Sequence, residues 1–196
     1  MEAYKTVSIV TPTTQDRQVF NERIFTIAKL QDYPYIVEHL FDYSDSIIGT
    51  KRNKLVSKAI GDIIIHMDSD DVYATDWVSK CVQALQDNPT ADIVGLSQFY
   101  ATGGFKYVGS NNSKTVWGAT MAYRKTFWES NNFKDIQVGE DYLFCKKANV
   151  LINPYTNGFL ATIHSGNTSP KNTSNSAWVN LCRKDIPDSP LGTAEL

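Results

Sequence analysis

The chain lacks the features that mark several large classes of protein. Its 196 residues hold only three cysteines, Cys81, Cys145 and Cys182, an odd number set far apart. No metal-ligand spacing links them and no disulfide framework is expected, which fits a reducing compartment. No apolar run is long enough to cross a membrane, and the N-terminus has no secretory pattern. The expected location is cytoplasmic, with at most peripheral contact with a membrane. Asn-x-Ser frames at Asn111, Asn167 and Asn172 are then read as chance. Positive charge is not in excess: 19 Lys and Arg face 21 Asp and Glu, for a net charge of −2. That excludes binding of nucleic acid by bulk charge and leaves only a local basic groove. Internal repeats are also absent. Aromatic residues are plentiful, with 10 Tyr, 9 Phe and 4 Trp, so one sizeable core is available.

Hydrophobic periodicity divides the chain in two. The first half alternates strands over 5–11, 35–42 and 63–65 with helices over 17–30, 50–60 and 75–86. Phe20, Ile24, Ile27 and Ala28 form the apolar face of the first helix. Leu55, Val56, Ala59 and Ile60 form that of the second, with Gly61 as its stop. Trp77, Val78, Cys81, Val82 and Leu85 form that of the third. A β-α-β-α-β-α order implies a mostly parallel sheet with helices on its faces. The second half is mixed. It reads as strands over 92–101, 105–108, 116–123 and 158–164, a short helix over 125–129 and another over 139–148. The tail over 187–196 is read as loose.

The stretch 61–71, Gly-Asp-Ile-Ile-Ile-His-Met-Asp-Ser-Asp-Asp, organises the rest. Three β-branched residues in a row, Ile63, Ile64 and Ile65, mark a strand buried on both faces. It ends in Asp68, Ser69, Asp70 and Asp71. Ligands of open α/β sheets bind beyond the carboxyl ends of the strands, and carboxylates packed that closely call for a cation or solvent between them. Magnesium or manganese carried by a nucleotide diphosphate would serve. The plainer alternative is an acidic turn that caps the next helix.

Four features occur in order: Thr11-Pro12-Thr13 at the end of the first strand, Lys51-Arg52-Asn53 opening a helix, Asp68-Ser69-Asp70-Asp71, and Gly139-Glu140-Asp141 opening a late helix. Together they resemble the family 2 glycosyltransferases, inverting enzymes of the GT-A fold, over residues 5–169. The resemblance implies one GT-A domain over 1–182, a mixed and mostly parallel central sheet flanked by helices. Residues 1–100 would bind a nucleotide sugar, 101–182 would bind acceptor, and 183–196 would form a loose tail. It implies contacts to the nucleotide from Thr11 and Pro12, and a base contact from Asp42 or Asp45. Arg52 would lie against base or diphosphate. Asp68 and Ser69 would touch the donor, and Asp70 and His164 would hold Mn2+ or Mg2+ in a DXD motif. Asp141 would be the general base, with Glu140 beside it orienting or binding acceptor. Trp117 and Gly118 are the acceptor candidates. Asp71 would cap a helix, while His66 is read as packed and hydrogen-bonded inside its strand and His39 as an ordinary strand residue. The implied reaction is metal-dependent transfer of a sugar, from a UDP-sugar on family frequency, to a hydroxyl acceptor. A chain this small would suit a bacterial or viral genome.

Three other classes share parts of this pattern. A sugar transferase acting on hydroxylated nucleic-acid bases would use a basic groove around Lys106, Lys114, Arg124 and Lys125. A nucleotidyltransferase would have a Gly-rich basic loop after the first strand, whereas Thr13-Thr14-Gln15-Asp16 has no Gly. A non-catalytic sugar-binding module would not need the Glu140-Asp141 pair.

Overall fold

A computed structural model describes residues 4–108, 114–167 and 172–181. Cys182, the loose tail and the frame at Asn111 lie outside the described residues. The central sheet has six strands in the order β2-β1-β3-β8-β5-β9. They are β1 (Val7–Pro12), β2 (Ile36–Asp42), β3 (Ile63–His66), β5 (Ile93–Gly95), β8 (Ala122–Arg124) and β9 (Val150–Ile152). β1 runs parallel to both β2 and β3, while β8 lies antiparallel between β3 and β5. β9 pairs parallel with β5, so β8 alone runs against the others. The two halves of the chain thus share one sheet.

A second sheet stacks β11 (Trp178–Asn180), β7 (Phe105–Tyr107), β6 (Phe99–Ala101), β10 (Phe159–Ala161) and β4 (Val72–Tyr73), in that order. The helices are α1 (Gln18–Lys29), α2 (Ile48–Lys58), α3 (Trp77–Asp87), α4 (Lys125–Ser130) and α5 (Glu140–Cys145). Among the described residues no helix is long and apolar enough to cross a membrane.

The reading of Ile63, Ile64 and Ile65 as a doubly buried strand holds in detail. Ile63 and Ile65 pack into one hydrophobic cluster with α1 and α3, and Ile64 packs into the other with α2. All three are at most 1% exposed. The α3 stripe is buried as its spacing predicts.

Other expectations change. Phe20 is not in the core; Asn21 is buried in the first turns of α1 instead. Ile60 is 72% exposed because α2 has already ended at Lys58. Gly61 is needed for close approach rather than as a helix stop, since a Cβ there would lie 2.4 Å from the Ser8 nitrogen. The predicted strand over 92–101 breaks in two. Thr120 draws the chain out of the central sheet by accepting the Leu96 N–H on its hydroxyl at 2.9 Å, and Phe99–Ala101 joins the second sheet. The predicted strand over 116–123 is a 3-10 turn at Gly118–Thr120 followed by β8, because the Thr120 N–H and hydroxyl both donate back to the Trp117 carbonyl at 2.9 Å. Strands β4, β9 and β11 have only two or three residues each, too few for a periodic signal.

His39 shows how the packing sets a protonation state. The Thr11 hydroxyl donates to the Met67 carbonyl at 2.7 Å, so it accepts from His39 Nε2–H at 2.8 Å. Nδ1 is then the bare nitrogen, buried without a hydrogen-bond partner. Burial pushes the His39 pKa down to about 4. Because the folded value is depressed, this contribution to stability is whole above the unfolded pKa of about 6.5 and is lost as pH falls toward the folded value. Urea denaturation from pH 7 to pH 4 is therefore expected to show a steeper stability loss in the wild type than in His39→Gln. The difference in slope should reach at most about 1.4 kcal/mol per pH unit. Equal slopes would mean that His39 takes up its proton without disturbing the fold.

Candidate active site

The parallel strands β1 and β3 aim their carboxyl ends at the same face, and the site forms there. Two adjoining cavities open beyond them. One, of about 460 Å³, is walled by Arg52, Asp68, Asp70, Trp117, Gly118 and Asp141, among others. The other, of about 1010 Å³, is walled by the 13–17 loop, by 43–46, and by Lys51 and His164. Pro12, Arg17, Ile48 and Gln137 belong to both walls.

Arg52 is the hinge of the smaller cavity. It is 3% exposed, and its Nε lies 3.2 Å from Glu140 Oε1 and its Nη2 3.8 Å from Asp68 Oδ1. Nη1 donates to His66 Nδ1, so His66 carries its proton on Nε2 and donates to the Tyr123 hydroxyl at 2.9 Å. Burial, with the Arg52 charge added, pushes the His66 pKa well down and keeps the ring neutral. His66 is thus packed and hydrogen-bonded, as its place inside the strand suggests. Burial pushes the Glu140 carboxyl pKa up, against the pull of Arg52. Asp141 is held by two backbone donors: Gly118 N–H reaches Oδ2 at 3.0 Å and Tyr142 N–H reaches Oδ1 at 2.7 Å. A side chain at position 118 would put a Cβ 2.6 Å from Arg52 Nη2, so glycine is what lets the guanidinium and Asp141 flank that backbone.

Asp70 lines the same cavity. Its Oδ2 is 2.9 Å from His164 Nε2, 3.2 Å from Arg17 Nη1 and 3.2 Å from Asn167 Nδ2. His164 stacks on Phe20 with ring centroids 5.1 Å apart. A carboxylate oxygen and an imidazole nitrogen that converge are a suitable pair for manganese. Among the described residues no third His, Cys, Asp or Glu joins them, so other ligands would have to come with a substrate. Asp71 does not cap α3. Its Oδ1 accepts the Thr162 N–H at 2.8 Å and ties β4 to the end of β10.

The remaining candidates divide. Pro12, Trp117 and Gly118 line the cavities. Thr11 and Ser69 do not: Thr11 bonds Met67 and His39, and Ser69 is buried behind Thr13 at 3.1 Å. Asp42 is 4% exposed and paired with Lys54 at 3.3 Å, whereas Asp45 is on the wall of the larger cavity. Arg52 faces the smaller cavity, and Lys51 faces the larger one while its ammonium donates to the Thr13 carbonyl at 2.5 Å. Two of the four basic-groove candidates, Arg124 and Lys125, are engaged by main-chain carbonyls. Arg124 pairs with Ile63 at the start of β3, the end away from Asp68, and donates to the Leu85 and Ala91 carbonyls. Lys125 likewise donates to the Ala59 carbonyl.

Sequence reasoning missed Arg17 and Asn167. Arg17 is simply the first residue of the helix expected over 17–30, and nothing in its neighbours sets it apart. Asn167, read as a chance glycosylation frame, stands in the same Ile-His-Ser-Gly-Asn run that drew attention to His164.

The profile of the family described as Glycosyl transferase family 2 matches residues 25–145. The chain belongs to glycosyl transferase family 2. Solved structures share its GT-A fold. S. aureus TarS (residues 1–349), determined in complex with UDP-GlcNAc, superposes with a TM-score of 0.68 at 16% identity over 83% of this chain. The mannosyltransferase PcManGT from Pyrobaculum calidifontis, in complex with GDP-Man and Mn2+, superposes with a TM-score of 0.63 at 14% identity over 87%. At these identities the likeness establishes the fold. The chain spans 60% of the length of the first and 59% of the second. No curated protein sequence matches it.

Proposed function

We propose that this family 2 chain transfers a sugar from a nucleotide diphosphate sugar to a hydroxyl acceptor with inversion, and that Asp141 is the general base. One observation carries the reading. Asp68, Asp70 and Asp141 line the same smaller cavity, and Arg52 pairs with both Asp68 and Glu140. Inverting transfer needs carboxylates for two tasks. One carboxylate group serves the donor, and another, away from it, takes the acceptor's proton as the new bond forms.

In this assignment the larger, polar cavity takes the nucleoside, with Asp45 rather than Asp42 available to the base. The smaller cavity takes the sugar, with Asp68 and Arg52 beside it. Trp117 offers an aromatic face to the acceptor, and Glu140 orients Arg52. Asp70 and His164 would hold a divalent cation. A cation held there would supply Lewis-acid neutralisation of the charge on the departing diphosphate. UDP and GDP sugars are both candidate donors, since the structural relatives were determined with UDP-GlcNAc and with GDP-Man.

Thermal-shift measurements with UDP, GDP, ADP and their sugars, each with and without Mn2+, test the donor site. Ligands that bind the folded state raise Tm by mass action. The expected result is a metal-dependent shift of several degrees for one base family, absent in Asp70→Ala. No shift for any nucleotide under any metal condition would remove the donor-site assignment.

A further inference from the structure

Arg17 sits where the two cavities meet. Of the four residues common to both walls, Pro12, Arg17, Ile48 and Gln137, it alone carries charge. Its side chain is 19% exposed. Nη1 donates to Asp70 Oδ2 at 3.2 Å, and Nη2 donates to the Gly166 carbonyl. A nucleotide sugar laid across both cavities must put its diphosphate at their junction, because the diphosphate is what joins nucleoside to sugar. A guanidinium is a planar fork matched to phosphate oxygens.

The same contacts bear on Asp70. Its Oδ2 already serves Arg17, Asn167 and His164. A divalent cation on that oxygen would meet a positive charge at close range. His164 is also engaged: its Nδ1 accepts the Gly166 N–H at 3.1 Å, which leaves the ring proton on Nε2, facing Asp70. To offer the Nε2 lone pair, the ring must move that proton to Nδ1 and release Gly166, the residue that Arg17 also holds. A bare cation therefore faces repulsion and two local rearrangements. A cation arriving on a diphosphate brings compensating negative charge and gives Arg17 a new partner.

We infer that Arg17 grips the donor diphosphate and, in its absence, occupies Asp70 as a resident counter-charge, so that cation and diphosphate bind together rather than separately. This rests on the donor-site assignment above. The two ligands then favour each other by the same factor in either order of addition. The competing account makes Arg17 a structural tie between the 15–17 turn and the loop after His164.

Calorimetric titration of wild type, Arg17→Ala and Arg17→Gln separates these accounts. The probes are Mn2+ alone, uridine and guanosine, and UDP and GDP with Mn2+. Circular dichroism reports folding, and Arg17→Gln keeps a donor for Gly166 if the alanine variant is unfolded. Losing a charge-assisted bond is expected to weaken the diphosphate that binds wild type by roughly ten- to a hundredfold. Nucleoside affinity should stay within about twofold, and affinity for Mn2+ alone should rise. A fall in diphosphate affinity accompanied by a rise in bare-cation affinity is a signature that a structural tie does not produce. Unchanged diphosphate affinity overturns the inference, as does a joint loss of diphosphate, nucleoside and Mn2+ binding. Wild-type protein that binds neither UDP nor GDP overturns the donor-site assignment, and this inference with it.

Discussion

Asp141→Asn is expected to lower the turnover of sugar transfer by roughly a hundred- to ten-thousandfold, the usual worth of a general base. Nucleotide affinity should stay within about twofold. The substitution is nearly isosteric, and the amide oxygen can still accept one of the two backbone N–H groups that hold Asp141, from Gly118 at 3.0 Å or from Tyr142 at 2.7 Å. The other N–H then faces an amide NH2 group, a local cost that a urea titration measures separately. The control is Glu140→Gln. Glu140 is buried and its Oε1 meets Arg52 at 3.2 Å, a contact that the Gln carbonyl can keep. A much smaller loss is expected there. If Asp141→Asn keeps more than about a tenth of wild-type turnover while Glu140→Gln loses most of it, the base is Glu140 and the assignment reverses.

How much of this was legible before the structure depends on the range over which each feature is decided. The Ile63, Ile64 and Ile65 run and the α3 stripe are set by neighbours in the chain, and they read correctly. The 92–101 strand did not, because its break depends on a hydroxyl 24 residues away at Thr120. Arg17 and Asn167 reach Asp70 from 53 and 97 residues away. Their residue types alone say nothing about that meeting. The site was readable as a set of motifs in order. Its division into two cavities was not, and neither was the split by which Lys51 faces one cavity and Arg52, its neighbour on α2, the other.

Arg52 also carries the largest expected effect on stability. Arg52→Leu should cost about 3–5 kcal/mol of unfolding free energy at pH 7–8, the penalty for removing one partner of a buried ion pair. The loss has three parts: Glu140, 5% exposed, loses its counter-charge, Asp68 loses the cation 3.8 Å away, and His66 Nδ1 loses its donor. The pH dependence identifies the dominant part. Burial already pushes the Glu140 pKa up, and Arg52 is the chief group pulling it down. Without Arg52 the folded pKa rises further above the unfolded value of about 4.3. A carboxyl group so raised is fully tolerated below its unfolded pKa, and the stability it permits is lost as pH rises through its folded pKa. The deficit of Arg52→Leu relative to wild type should therefore shrink from pH 8 toward pH 5, and Arg52→Leu/Glu140→Leu should recover part of it at pH 8. Urea titrations across that range supply the test. A pH-independent deficit that the second substitution does not reduce would place the cost in lost packing and the His66 contact, and would mean that Glu140 reaches water once the guanidinium is gone.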